Sequence, residues 1–142
     1  MPTASPTADT AHLHRFEVSR APGRADPRGD RLVAEAATLG YRIDTARSIR
    51  VYLIEAPIGS DASARLGTGL LADAVVNAWT EGVEPAQPGA VSIEVHPLPG
   101  VMDPAAQSVR TAAAELLGVE PDAVRVSTGW RYDLTGPDAA KA

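Results

Sequence analysis

The sequence predicts an α+β fold built from two β–α–β(β) repeats, with mostly antiparallel sheets, helices packed on one side and a pseudo-twofold relation between the halves. Short runs that alternate apolar and polar residues indicate strands. Two Asp-Pro pairs each open an apolar stripe of helical spacing, and this order of elements occurs twice along the chain. One core is expected, because 142 residues are enough for a single domain.

The first half begins with a strand over residues 13–20 and continues into a helix. The helix begins at Asp26-Pro27, because Asp caps exposed amides and Pro at the first helical position loses no hydrogen bond. It ends near Leu39, where Gly40 provides the left-handed stop that helix ends favour.

A second strand and a second helix complete the first half. Residues 48–56 alternate apolar and polar side chains, which is typical of a strand. A helix is predicted over residues 62–80, because apolar residues recur along one side of it. Gly67 and Gly69 each cost that helix about 1 kcal/mol relative to Ala, so packing has to stabilise it.

The second half repeats the pattern in shorter form. Residues 91–96 alternate with strict period two and form the clearest strand of the chain. A helix begins at Asp103-Pro104 and ends at Gly118. A strand pair or a single bent strand follows over residues 124–134.

Three landmarks keep the same order in both halves, which indicates an internal repeat. No counterpart of the helix over 62–80 follows the last strand, so some surface near the carboxyl end is expected to need another chain. The landmarks are Asp26-Pro27 with Asp103-Pro104, 77 residues apart, Leu39-Gly40 with Leu117-Gly118, 78 apart, and Tyr52 with Tyr132, 80 apart.

Composition sets the expected boundaries. Residues rich in Pro, Ser, Thr and Gly cannot bury enough apolar surface to offset the entropy of ordering. The predicted segments are a disordered tail over 1–11, a first repeat over 12–80, a linker over 81–90, a shortened second repeat over 91–135 and a tail over 136–142.

Charge and residue usage argue against several classes of partner. The net charge is −5 and the basic residues are interspersed with acids, so nucleic acid is not an expected partner. With no Cys and three scattered His, neither a thiol nucleophile nor a metal cage is expected, and no cofactor is predicted. Residues 1–10 match neither a secretory signal nor a membrane anchor, so we expect a soluble, cytoplasmic chain.

The residues that carry chemistry show no catalytic pattern. Asp26 and Asp103 are carboxylates, which acid–base catalysis uses in pairs, but helix capping accounts for both. The sequence holds no phosphate-binding loop and no Gly-x-Ser-x-Gly elbow. His12 and His14 share a strand face and lack a third ligand, so they are expected to be surface residues, and His96 is expected to face solvent. The sequence therefore offers no nucleophile or general base that would support an independent hydrolase or transferase.

Bulky and basic side chains near the strands have two interpretations each. Tyr52, Trp130, Arg131 and Tyr132 are candidates for an interface, although for the Trp side chain the core is the favoured place. Four arginines either line a path for an anion or belong to an exposed sheet face. The alternating charges favour the exposed sheet face. They are Arg47, Arg50, Arg125 and Arg131.

The run from Pro99 to Pro104, with Ser108-Val109 after it, resembles the Pro-Gly-Val-x-Asp-Pro-x-x-x-Ser-Val pattern of PurS and of the PurS-like amino-terminal region of phosphoribosylformylglycinamidine synthase. Residues 50–55 are similar to the central strand of that family. Residues 70–76 are similar to its Leu-Leu-Ala-Asp-Pro-Val-Val helix end, with Ala74 in place of the usual Pro. The similar stretches span about residues 13–134.

The resemblance implies a non-catalytic component of an ATP-dependent, glutamine-using ligase of purine biosynthesis. Such a module bridges the synthetase and the glutaminase and assists ammonia transfer between them. It has no catalytic residues of its own, and its partners are those two components or a second copy of the chain. The alternative is a ferredoxin-like, small-molecule-binding regulatory module, which the same repeats suggest.

Overall fold

The structure is a computed structural model that describes residues 12–141. It has five strands and three α-helices, and α2 continues into a π-helical turn at Gly67–Leu71. Short 3-10 turns lie at Pro121–Ala123 and Ala139–Lys141. The strands are β1 (His12–Arg20), β2 (Thr45–Ala56), β3 (Asn77–Glu81), β4 (Val91–Val95) and β5 (Arg125–Thr135), and the helices are α1 (Pro27–Thr38), α2 (Ser60–Leu66) and α3 (Pro104–Leu117).

One sheet contains all five strands in the order β3-β1-β2-β5-β4, and every neighbouring pair is antiparallel. The predicted α+β class with an antiparallel sheet is confirmed. In both β1–α1–β2 and β4–α3–β5, the helix joins two adjacent antiparallel strands. The ferredoxin-like shape of the alternative prediction is therefore wrong, because its β–α–β units join parallel strands.

The helices all pack on one face of the sheet, where two apolar clusters form the core. One cluster contains Ala113 and Ala114 of α3 together with Phe16 and Ile54 of the first two strands. The other contains Ala36 of α1 together with β4 and β5 side chains, Leu134 among them. Each of these helices therefore covers strands of the other β–α–β unit, and neither unit has a complete core by itself.

The segment over residues 82–90 crosses the opposite face. It leads from β3 at one edge of the sheet to β4 at the other, roughly four strand spacings or about 19 Å. The backbone N–H of Glu84 donates to the Glu17 carboxylate at 2.8 Å, and Arg47 donates to the Glu84 carboxylate at 3.1 Å. On this face Ile49 is fully buried. The predicted linker is thus part of the packed structure.

The helix predicted over 62–80 is wrong beyond residue 71. Residues 77–81 form strand β3, which pairs with β1 and places Trp79 opposite Val18. The Trp79 ring packs against Gly67, where a Cβ atom would overlap it. A carboxylate oxygen of Asp73 accepts the backbone N–H of Val75 at 2.8 Å and closes the turn between helix and strand. Pairing at the open edge of β1 overrides the helical spacing.

The carboxyl-terminal segment also differs from the loose tail that composition predicts. Ala139 is 4% exposed and belongs to the cluster beneath α1. The Asp138 carboxylate accepts the backbone N–H of Arg42 at 2.7 Å, and this hydrogen bond fixes the segment beside the start of β2. The predicted tail over residues 1–11 lies outside the described residues. Among the helices of residues 12–141, none has both the length and the apolar character needed to cross a bilayer.

Candidate functional site in a cleft over the central strands

A cleft of about 600 Å³ lies on the helix side of the sheet, over β1, β2 and β5. The start of α1 borders it on one side, and the π-helical turn and the segment leading to β3 border it on the other. The charged and aromatic side chains that line it are Arg20, Asp26, Arg28, Arg50, Tyr52 and Trp130.

Two guanidinium groups contact the ring of Trp130. The Cζ atom of Arg28 lies 3.8 Å from the ring centroid, and that of Arg50 lies 4.7 Å from it. Arg28 also donates to the Tyr132 hydroxyl at 3.3 Å, and Arg50 donates to the Thr128 hydroxyl at 3.0 Å. Neutral aromatic and hydroxyl groups thus hold both cations by cation–π contacts and hydrogen bonds.

The arginines of the cleft lack a carboxylate partner. Across residues 12–141, Arg20, Arg28 and Arg50 have no carboxylate oxygen within 4.0 Å. Other arginines of the sheet are paired, including Arg15 and Arg131. The cleft therefore collects positive charge that the described protein does not neutralise by direct contact.

The one acidic side chain of the cleft is engaged by the fold. The carboxylate of Asp26 accepts the backbone N–H of Gly29 at 3.0 Å, and the hydroxyl and backbone N–H of Ser48 at 2.6 and 2.7 Å. Burial raises the pKa of Asp26, but the hydrogen bonds from Ser48 and Gly29 outweigh it, so the pKa lies below its usual value. Asp26 is a helix cap that also fixes α1 to β2.

Asp103 has the same contacts at the start of α3. Its carboxylate accepts the backbone N–H of Ala106 at 3.0 Å, and the hydroxyl and backbone N–H of Thr128 at 2.9 and 3.2 Å. Burial again raises the pKa, and the hydrogen bonds from Ala106 and Thr128 again lower it further than burial raises it. The structure thus anchors both caps to a central strand rather than bringing them together as a carboxylate pair.

A buried ion-pair network lies on the opposite face of the sheet. Arg131 is 3% exposed and donates to Glu17 at 2.9 and 3.1 Å and to Asp133 at 2.9 and 3.1 Å. Arg15 donates to Glu17 at 2.7 Å and to both carboxylate oxygens of Glu94 at 3.0 Å. The network joins β1, β5 and β4 across the sheet and holds the segment over 82–90 through the Glu17 carboxylate.

The charges in this network stabilise one another. Burial lowers the pKa of Arg131, but Asp133 and Glu17 outweigh it and raise the pKa above its ordinary value. The hydrogen bond from Arg15 is the main cause that holds the pKa of Glu94 below its usual range. Since each carboxylate is bound by a guanidinium group, none is poised as a general base. The arrangement is a structural clamp.

The structure separates the four residues predicted for an interface. Tyr52, Trp130 and Tyr132 lie on the helix side, half-buried, whereas Arg131 is buried in the network on the other face. Of the four arginines considered for an anion path, Arg50 alone lines the cleft. The others pair with acids: Arg47 with Glu84, Arg125 with Glu55, and Arg131 with Glu17 and Asp133.

The histidines lie apart from the cleft. His14 is not the surface residue that was predicted, because 14% of its side chain is exposed and its Nδ1 lies 3.0 Å from the Glu81 carboxylate. The exposed His96 lies 2.9 Å from the Glu94 carboxylate. Over residues 12–141, no group of three or more His, Asp or Glu side chains is placed to hold a metal ion.

Sequence reasoning missed Arg20 and Arg28 as members of the cleft. Arg28 directly follows the Asp26-Pro27 cap, so its place at the start of α1 could be read from the sequence. Its contact with Trp130 could not, because that contact depends on which strand lies beneath the helix.

No protein-family model, no curated protein and no solved structure matches this chain.

Proposed function

We propose that this chain is a non-catalytic, PurS-like component of phosphoribosylformylglycinamidine synthase, which bridges the synthetase and the glutaminase and assists ammonia transfer. The proposal rests on the resemblance around Asp103-Pro104 and on one structural observation. Both Asp-Pro caps bind a hydroxyl residue of a central strand through the same set of hydrogen bonds, Asp26 to Ser48 and Asp103 to Thr128.

The strand registers support a duplicated unit with a pseudo-twofold axis. A shift of 77 residues relates β1 to β4 and carries Glu17 onto Glu94, and the same shift relates the two caps. A shift of 80 residues relates β2 to β5 and carries Ser48 onto Thr128. With these shifts, the pairing of β1 with β2 reproduces the pairing of β4 with β5. The first strand and the cap are related by 77 residues and the following strand by 80 residues. The difference of three residues corresponds to a small insertion between the cap and the second strand of the repeat.

The state of the acidic groups supports a docking role. Within the described part of the chain, the buried carboxylates of Glu17 and Asp133 are bound by arginine, and Asp26 and Asp103 are bound as caps. A carboxylate held in this way stabilises the fold and has no free oxygen to take a proton from a substrate. In this proposal the chain acts through its surfaces.

The surface that we assign to a partner is an apolar groove between α1 and the edge strand β4. In the first unit, α2, the π-helical turn and β3 cover the corresponding place beside α3 and β1. Within residues 12–141, no helix–strand pair follows β5 to cover the equivalent place beside α1 and β4. The groove has a volume of about 290 Å³, and its apolar lining includes Leu32, Leu39, Tyr41, Ile93 and Val95.

The occupant that we propose is a helix followed by a strand from the synthetase component. The first unit shows what fits, because there Leu66 of α2 and Leu71 of the π-helical turn belong to the same apolar cluster as α3, and a strand adds antiparallel to β1. By the same geometry, a partner strand would pair with the free edge of β4, and its helix would contact Leu39, which is 75% exposed. Such edge pairing also removes the exposed edge that a sheet otherwise presents.

The test is reconstitution with the purified synthetase and glutaminase of the same organism. We expect the chain to raise glutamine-dependent synthesis and to leave ammonia-dependent synthesis unchanged, since added ammonia bypasses the transfer. Leu39→Asp should abolish the gain. Leu13→Asp is the matched control, because Leu13 is 66% exposed and lies outside the groove. A mixture in which the chain changes neither the rate nor the assembly would overturn the proposal.

A small-molecule-binding module is the second candidate function, and the cleft with its unneutralised arginines favours it. Such a module would bind a ligand as an isolated chain, whereas a bridging component needs its partners. Calorimetry of the purified chain with purine precursors and amino acids distinguishes the two. Binding there, together with no effect in the reconstitution, would favour the second candidate.

A further inference from the structure

We infer that the cleft over the central strands binds the phosphate group of a small phosphorylated metabolite. The inference specifies the ligand class of the second candidate function, and it stands whether or not the chain serves a synthase. It is carried by the arrangement of Arg20, Arg28 and Arg50 around one cavity.

The charge of the cleft fits a dianion. Three guanidinium groups and one carboxylate, Asp26, line the cleft, so the lining carries an excess of two positive charges. The Asp103 carboxylate lies outside the lining and reaches Arg50 only through the Thr128 hydroxyl. A guanidinium presents its donors in a planar fork that matches phosphate oxygens, and hydrogen bonds between charged groups are the strong ones. The cleft also lies at the amino end of α1, a 12-residue helix whose dipole favours negative charge there.

The arginines are held in place without direct contact between a guanidinium and a carboxylate. Trp130 and Tyr132 position Arg28, and Trp130 and Thr128 position Arg50. Thr128 is itself fixed by the Asp103 carboxylate at 2.9 Å. A cation positioned by neutral groups keeps its charge for a ligand and loses less side-chain entropy when the ligand arrives.

The size and the remaining lining of the cleft indicate more than an inorganic ion. Its volume of about 600 Å³ is within the range of small-molecule sites, about 300–1,000 Å³. Val18, Leu71, Val76 and Tyr52 give the cleft an apolar side that a sugar or base attached to the phosphate would contact. A long polyanion is disfavoured, because the chain as a whole has a net charge of −5.

The experiment is a titration of the full chain with ribose 5-phosphate, ribose and inorganic phosphate, followed by calorimetry and by tryptophan fluorescence. We expect ribose 5-phosphate to bind, inorganic phosphate to bind more weakly and ribose not to bind. Fluorescence should change because Trp130 lines the cleft, whereas Trp79 packs against Gly67. Arg28→Gln and Arg50→Gln should each weaken binding about tenfold or more, the loss expected for a hydrogen bond to a charged group.

Arg42→Gln is the matched control, because the Arg42 guanidinium also has no carboxylate oxygen within 4.0 Å in the described structure and lies outside the cleft, and the substitution keeps the backbone hydrogen bond to Asp138. It should bind like the parent chain, and thermal unfolding should show that all three variants are folded. Equal binding of ribose and ribose 5-phosphate, or unchanged binding by Arg50→Gln, would overturn the inference. Tighter binding of a single-stranded oligonucleotide than of ribose 5-phosphate would also overturn it, in favour of a nucleic-acid surface.

Discussion

Arg50 and Trp130 are register partners on the two central strands, and the guanidinium of Arg50 lies 4.7 Å from the centroid of the Trp130 ring. The shift of 80 residues that carries Ser48 onto Thr128 also carries residue 50 onto residue 130. The proposed twofold axis therefore passes through this pair. A ligand bound beside it would contact both β–α–β units and would stabilise their association.

Removal of the Asp26 carboxylate should destabilise the chain by more than an ordinary helix cap is worth. A cap contributes about 1 kcal/mol, and Asp26 additionally binds the backbone and hydroxyl of Ser48. We expect Asp26→Ala to lower the free energy of unfolding by about 2 kcal/mol or more in urea titrations. Asp30→Ala, an exposed first-turn control, should stay within about 0.5 kcal/mol. Equal losses for the two variants would refute the anchoring role.

The two caps should also make stability depend on pH. Their folded-state pKa values are lowered, so the ionised carboxylates stabilise the fold. That contribution is fully present above the unfolded-state pKa of about 3.9 and is lost as the pH falls through the lower folded-state pKa. Urea titrations from about pH 6 down to about pH 2 measure this loss. Over that range the Asp26→Asn/Asp103→Asn chain should lose less stability than the parent chain. A parallel decline of both chains would contradict this assignment.

Gly29 should not tolerate a side chain. A Cβ atom there would overlap the carbonyl oxygen of Ala46 on β2, so Gly29→Ala has to displace α1. We expect a loss of about 1–3 kcal/mol, the usual cost of overpacking. Gly69→Ala is the control, because a Cβ atom there meets open space. Thermal denaturation of both variants is the measurement, and a Gly29→Ala chain as stable as the Gly69→Ala chain would contradict the packing described for α1.

The buried network should be sensitive to the loss of one partner. Arg131→Met leaves Glu17 and Asp133 buried with fewer counter-charges, and breaking a buried pair in this way costs about 3–5 kcal/mol. Arg31→Met is the control, because Arg31 and Glu35 form an exposed pair with side chains 81% and 65% exposed, worth about 0.3–0.5 kcal/mol. Urea titration gives both values, and a small loss for Arg131→Met would show that the network is solvated.

The first unit should not fold as an isolated monomer. Its helix α1 packs on β4 and β5 as well as on β2, and α3 of the second unit contributes to the core over β1 and β2. A fragment of residues 12–81 should therefore be largely unfolded when dilute and should gain circular dichroism signal only as it dimerises. A fragment that is folded and monomeric by sedimentation would show that the two units do not depend on each other.

The sequence was most informative where local chemistry decides the structure. Asp103-Pro104 and Gly118 mark the ends of α3, and the structure places the helix at Pro104–Leu117. The strict alternation over 91–96 corresponds to β4 at Val91–Val95. Caps, left-handed glycines and period-two patterns act within a few residues, so they can be read without the fold.

Long-range pairing was not readable. The spacing of Leu70, Ala74 and Ala78 fits a helix, but the free edge of β1 draws residues 77–81 into the sheet. Arg50 and Arg131 have similar surroundings in the sequence, but they lie on opposite faces of the sheet. Arg131 contacts Glu17 and Asp133, whereas Arg50 contacts Trp130 and Thr128. Which residues share a cleft depends on how strands and helices meet, which local pattern does not encode.

The most direct test of the bridging role is the molar mass of the mixture of chain, synthetase and glutaminase, measured by light scattering after size exclusion in the presence of ATP and glutamine. The proposal predicts that the parent chain and Leu13→Asp elute within a complex with both partners and that Leu39→Asp elutes alone. If the parent chain elutes alone at every concentration, or converts substrate without either partner, the account of this chain as a docking component is wrong.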